Sequence, residues 1–290
     1  METASRNPTP LPFSVARSGH TPAGPDVTSL EGEEITGGTL PQGASYQVNA
    51  PLPTRWGLLR WQGLEARTGA AVEVLTPAVK GRPLPRALSR LSLLSHRGLS
   101  RVLGTLQLGT GQEVGVLERP AGSPLNPAVP GGARDLGDCV AVLAEVAAAL
   151  DAIHAADVCH LCLRPELILL PDGDASSSSP TGQAAGAQVL LAGSARTSTE
   201  LLTQAAVPEL AYEGASADSA LAACAYLAPE QLLYHREARG AVVVDRRADV
   251  YALAVLSYQL LTGALPCGPD GSADTIAAHL ATERPRCTRQ

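Results

Sequence analysis

The sequence predicts an α+β chain of two unequal lobes, strands first and helices after. Three stretches carry that reading. Tyr46 to Leu75 is a series of β-rich runs punctuated by Pro51, Pro53, Gly57, Gly63 and the turn pair Thr68-Gly69, which reads as short strands. From Leu136 to His154 the apolar residues Leu136, Cys139, Val140, Leu143, Val146, Leu150 and Ile153 recur every three or four positions, the period of a helix with one buried stripe. Asp249 to Thr262 is apolar nearly all round and is stopped by Gly263 and Pro266, as expected of a helix enclosed by its own domain.

The remaining elements fall around these. Met1 to about Ser45 is rich in Pro, Gly, Thr and Ser, with acids at Glu31, Glu33 and Glu34 and no sustained period, and reads as a flexible tail. Leu84 to Leu94 has helical spacing. The apolar runs Leu167 to Leu170 and Val189 to Leu191 flank a polar stretch from Asp172 to Ala187, which suggests two short strands joined by a long loop. The domain boundaries that follow are a tail over 1–45 and a folded domain over 46–290, divided into a β-rich lobe at 46–119 and a helical lobe at 120–290.

Composition narrows the function classes. At 45% hydrophobic and 17% charged, the 290 residues are too apolar for a wholly disordered chain. No apolar run reaches the ~20 residues of a spanning helix, and no apolar stretch follows Arg6 as in a secretory signal. A cytoplasmic protein is expected. The formal charge is -6 with no basic run, so neither nucleic acid nor a membrane surface is an expected partner. Lys80 is the sole lysine among 22 basic residues, beside abundant Ala, Gly and Pro, which reads as GC-rich coding and hence a bacterial source. The six cysteines, Cys139, Cys159, Cys162, Cys224, Cys267 and Cys287, have no framework spacing. The stretch Cys159-His160-Leu161-Cys162 lacks the second pair that a closed zinc site needs, so no metal site is expected.

Four motifs then stand in a telling order. They are Leu94-Ser95-His96 followed by Leu99 to Leu103; His160-Leu161-Cys162-Leu163-Arg164-Pro165-Glu166-Leu167-Ile168-Leu169-Leu170; Ala225-Tyr226-Leu227-Ala228-Pro229-Glu230-Gln231-Leu232; and Asp245-Arg246-Arg247-Ala248-Asp249-Val250-Tyr251-Ala252-Leu253 with Leu260-Leu261-Thr262-Gly263. Together they resemble a bacterial serine/threonine protein kinase domain: the turn after helix αC, the catalytic loop H-R-D-L-K-P-E-N, the A-P-E segment and helix αF. The resemblance runs from about Tyr46 to the end and implies the bilobal kinase fold. After αF only Asp274 to Leu280 has helical character, so the C-lobe is expected to lack its last helices.

The resemblance also shows what has been replaced. Phosphoryl transfer in the family uses a lysine on the nucleotide phosphates, a glutamate holding it, magnesium ligands and a carboxylate base. At the matching positions stand Leu75 for the lysine, Ala87 for the αC glutamate, Cys162 for the catalytic aspartate and Leu167 for the metal-binding asparagine. Leu191 and Ala192 replace the first two residues of D-F-G, leaving Gly193. Lys80 lies beyond Pro77 and outside the strand of Leu75. In the loop that would cover the phosphates, Leu52 to Leu59, one glycine remains, Pro53 lacks an N–H and Trp56 is bulky. Glu73 is on the right strand with the wrong sign.

The residues kept, His160, Pro165, Gly193, Pro229, Glu230 and Asp249, are those the family uses to brace its loops, Asp249 by accepting backbone N–H groups of the catalytic loop. Leu161 replaces the H-R-D arginine, so phosphorylation is not expected to order the following segment in the usual way; the arginine that pairs with the A-P-E glutamate in the family belongs to the last C-lobe helices, so Glu230 is expected to be solvated or paired elsewhere. The sequence therefore leads us to expect a catalytically inactive, pseudokinase-like module that works through an unidentified protein partner, with no catalytic, cofactor or metal residues and weak or no ATP binding. The alternatives are a kinase with non-standard catalytic residues and a truncated remnant without function.

Overall fold

The computed structural model describes residues 29–55, 57–79, 81–126, 135–171, 186–190, 195–202, 225–231 and 243–266. The first lobe is an antiparallel sheet in the order β1-β2-β3-β4-β6-β5. Its strands are β1 (Glu34–Thr36), β2 (Ser45–Arg55), β3 (Leu58–Glu65), β4 (Ala71–Pro77), β5 (Val102–Gln107) and β6 (Glu113–Glu118), with the short helix α1 (Arg86–Leu91) between β4 and β5. One face of the sheet buries Tyr46, Val48, Trp61, Val72, Val74, Val114 and Val116.

Two expectations for this lobe need correcting. The flexible tail was placed through Ser45, yet from residue 29 onward the chain belongs to the sheet. Ile35 pairs with Tyr46, and Leu30, Ile35 and Leu40 are at most 8% exposed against that face. Thr39 then reaches the opposite edge, its N–H donating to the Thr105 carbonyl at 3.1 Å and its hydroxyl oxygen accepting from the Thr105 N–H at 2.8 Å, so the sheet curls on itself. Gly104 permits that approach: a Cβ there would sit 2.8 Å from the Thr39 carbonyl oxygen. A Gly/Pro/Thr-rich composition hid three apolar anchors whose partners lie elsewhere in the chain.

Of the breaks expected between Tyr46 and Leu75, those at Gly57 and Thr68-Gly69 do separate β2, β3 and β4, whereas Pro51 and Pro53 lie within β2 and Gly63 within β3, Pro51 pairing with Trp61. Because β1 pairs with Ser45 to Gln47 and Val48 bonds Gly32 and Glu33, β2 beyond Val48 is a sheet edge among the described residues, where proline is tolerated. Register shifts fall at Val48/Ala50 and Leu52/Arg55. Helix α1 is also shorter than the expected 84–94: Pro85 stands before it, and Ser92 ends it by donating its N–H back to Leu88.

The second lobe is built on α2 (Leu136–Ala155) and α4 (Arg247–Thr262), with the five-residue α3 (Ser198–Leu202) between them. Asp135 caps α2 by accepting the Gly137 N–H at 2.8 Å, and Gly263 closes α4 in the left-handed conformation at φ 73°. The strands β7 (Ser123–Pro124), β9 (Ile168–Leu170) and β10 (Gln188–Val189) form a small sheet, which meets the expectation of two strands flanking a polar loop. The strands β8 (Val158–Cys159) and β11 (Arg196–Thr197) form a two-stranded ribbon. Helix α4 was expected to be enclosed all round; it buries Ala248, Asp249, Ala252, Val255, Leu256 and Leu260, while Val250 and Leu261 are 58% and 44% exposed. One apolar core runs from Leu58, Leu75 and Leu117 of the first lobe through Ala87, Leu88 and Leu91 of α1 to Val146, Leu150, Ile153, Leu256 and Leu260 of the second. The polar loop after Asp172, residues 191–194, Lys80, Trp56 and the expected helix at 274–280 lie outside the described residues.

Candidate functional site: the cleft between the lobes

The strand register fixes what faces the cleft. Arg60 lies opposite Leu75, and Gln62 opposite Glu73, so these four share one face, while Trp61 opposite Val74 takes the other. Leu75 and Ala87 are both fully buried and belong to the core shared by the lobes. Where the resemblance asks for a lysine and its glutamate there is apolar packing, in which burial of a leucine stabilises by about 2 kcal/mol.

Beside Leu75 the roof carries an ion pair. Arg60 donates to both oxygens of Glu73, at 2.6 and 2.8 Å, and to the Pro53 carbonyl at 3.2 Å, with side chains only 10% and 15% exposed. Sequence reading noted Glu73 as an acid of the wrong sign and did not consider Arg60. The signal was present: two strands joined by the turn at 66–69 set the two residues diagonally across the pair, within reach of long side chains. The segment linking the lobes adds no free backbone donor over three residues. The Glu118 N–H donates to Arg101 at 2.8 Å, the Arg119 N–H donates to Ala71 at 3.0 Å, and Pro120 has none.

The loop on the opposite wall is braced as the sequence led us to expect. Asp249, 1% exposed, accepts the backbone N–H of His160 at 2.8 Å on Oδ2 and that of Leu161 at 2.7 Å on Oδ1, and Oδ2 also meets His154 Nε2 at 2.8 Å. Leu161 is held at φ 65°, an uncommon conformation for a leucine, by that bond and by the Gln231 side-chain amide donating to its carbonyl at 2.9 Å. Gln231, which sequence reading passed over, thereby ties the Ala225 to Gln231 segment to the loop. His160 is fully buried. Its Nδ1 accepts the Cys162 N–H at 3.3 Å, which leaves Nε2 to donate to the Leu190 carbonyl at 3.0 Å. This is a neutral imidazole, and burial pushes its pKa below the ordinary value despite the nearby Asp249 carboxylate.

Cys162, at the position of the catalytic aspartate, is half-buried, and Leu167 is 2% exposed. The neighbouring Cys159 thiol is pushed up to about 12 by burial and then by the field of Asp249, which makes it an unreactive thiol. Pro165 is buried in a single 3-10 turn, and Pro229 and Glu230 are half-buried. The Arg247 guanidinium is held above its ordinary pKa chiefly by its hydrogen bond to Asp245 and that carboxylate's charge, with a smaller contribution from Glu230. At the positions where the resemblance would place the lysine, the carboxylate base and a magnesium ligand, Leu75, Cys162 and Leu167 offer neither an ammonium group nor the hard oxygen ligands magnesium requires. Among the described residues no three His, Cys, Asp or Glu side chains cluster as metal ligands, and no helix is long and apolar enough to cross a membrane.

No family model matches the chain. Among curated proteins it is similar to the serine/threonine-protein kinase Pkn1 of Myxococcus xanthus, at 37% identity over 164 residues, 57% of this chain and 20% of that protein. It is 33% identical over 147 residues to the serine/threonine-protein kinase PknD of Mycobacterium tuberculosis, covering 51% of this chain and 18% of that one. PknH of Mycobacterium bovis is 30% identical over 141 residues, 49% of this chain and 19% of its own length. The chain thus spans about a fifth of the length of the relatives it matches.

Proposed function

The chain carries, in part, a bacterial serine/threonine kinase-like domain, and we propose that it acts without phosphoryl transfer, as a protein-binding or regulatory module. One observation carries this reading. The place of the phosphate-holding lysine and its glutamate is occupied by Leu75 and Ala87 inside the core shared by both lobes, where a charge would have to be desolvated without a partner. The other parts of the cleft agree: an ion pair roofs it, residues 118–120 offer no free donor to a nucleobase, and the loop opposite presents a thiol and a buried leucine. Because electrostatic positioning supplies nearly all the catalysis in phosphoryl transfer, these losses compound.

Calorimetric titration with ATP, with and without magnesium, tests the reading. We expect no saturable binding in the micromolar range in either condition and no transfer of radiolabelled phosphate to the chain itself or to a generic protein substrate. Magnesium-dependent micromolar binding would instead favour a working kinase, the activity named for the relatives.

A further inference from the structure

In the family this chain resembles, an ion pair between a strand of the first lobe and helix αC secures that helix. Here the matching residues are apolar, yet α1 is tied to the second lobe at two other points. At one, the Arg90 guanidinium donates to Asp157 Oδ2 at 2.5 Å and to the carbonyls of Ala156 and Asp157 at 3.3 and 3.4 Å. At the other, the Arg86 backbone N–H donates to Glu200 Oε1 at 2.7 Å, while Glu200 Oε2 accepts the Thr197 N–H at 2.8 Å and its hydroxyl at 2.9 Å.

The two points lie close together: Ser198, the first residue of α3, is near enough to the Asp157 carboxyl, at the turn that ends α2, to hold its pKa below the ordinary value. Asp157 is held at φ 55°, a strained conformation for a residue with a side chain. Glu200, two residues further on, lies near the buried Arg196, whose guanidinium desolvation pushes down to about 10 while the Glu200 charge pulls it back up.

We propose that Asp157 and Glu200 form a polar latch that fastens α1 to the second lobe through α3, so that the position of α1 is governed by the 195–202 segment rather than by a ligand in the cleft. The latch goes beyond the binding-module reading and holds whether or not the chain has catalytic activity. Its parts are half-exposed at Asp157 and Arg90, 46% and 44% by side chain, so the latch is open to disruption by salt or by a competing charge at the surface.

Hydrogen exchange followed by mass spectrometry on the full chain tests this, comparing Asp157→Asn, Glu200→Gln and the double variant with the unaltered protein. Exchange at the amides of residues 86–92 is expected to quicken about tenfold in the double variant, with α2 as protected as before. Where the double variant loses its fold, the unaltered protein decides: raising salt from 0.05 to about 1 M is expected to quicken exchange in α1 but not in α2. Exchange in α1 that is unchanged in a folded double variant, or indifferent to salt in the unaltered chain, would overturn the latch. So would exchange in α1 that slows on adding magnesium-ATP, because α1 would then answer to the cleft.

Discussion

His160 shows how a histidine in a motif that resembles a catalytic loop can brace the fold. Its two ring nitrogens are both engaged, one accepting from Cys162 and one donating to Leu190, so taking up a second proton would break the first bond inside a buried pocket. The folded-state pKa is therefore depressed below the ~6.5 of the unfolded chain, and the unfolded state binds the proton first. Stability from this group is present above about pH 6.5 and is lost as pH falls below it, with a limiting slope of about 1.4 kcal/mol per pH unit. Urea unfolding between pH 7.5 and 5 is expected to show that decline, and His160→Asn to flatten it. The carboxyls of Asp157 and Asp245 are held below their ordinary value, chiefly by Ser198 and Arg247, so their contributions are present above the ordinary carboxylate pKa and fade as pH falls through and below it. The two windows can be separated.

Among the elements, the N-terminal stretch from residue 29 most changes the picture of the domain. Ile35 is 1% exposed and sits in a strand of only three residues, so β1 is held by its side chain more than by its ladder. Ile35→Ala is expected to cost about 2–4 kcal/mol, read from the denaturation midpoint. Were residues 29–45 a solvated tail, the substitution would leave that midpoint where it was. The expectation of a tail to Ser45 failed for a physical reason: Leu30, Ile35 and Leu40 are too few and too irregularly spaced to show a period, and what buries them, Trp61, Val74 and Val116, comes from later strands. The proline-bearing strand β2 misled in the same way, because whether a proline breaks a strand depends on whether a neighbour pairs on that side.

For the molecule as a whole, the core passing from the sheet through α1 to α2 and α4 makes the cleft a load-sharing part of the fold. Leu75→Lys, which would restore the family's residue, is expected to destabilise by about 3 kcal/mol or more and to create no nucleotide binding, since it buries an ammonium among leucines with Ala87 in place of a carboxylate. Thermal unfolding together with the ATP titration checks both halves; a stable variant that binds magnesium-ATP would contradict the account. The sequence by itself determined the order of the lobes and the two long helices, because those signals are local periods and caps, while the bracing of the His160 loop by Asp249, 89 positions away, was legible only through the resemblance of short motifs. The tertiary structure alone decided the Arg60–Glu73 roof, the Asp157 and Glu200 contacts to α1 and the folding of residues 29–45. Each of these depends on register or on residues brought together from distant parts of the chain, 114 positions apart for Glu200 and Arg86, and no local pattern records which surfaces will meet.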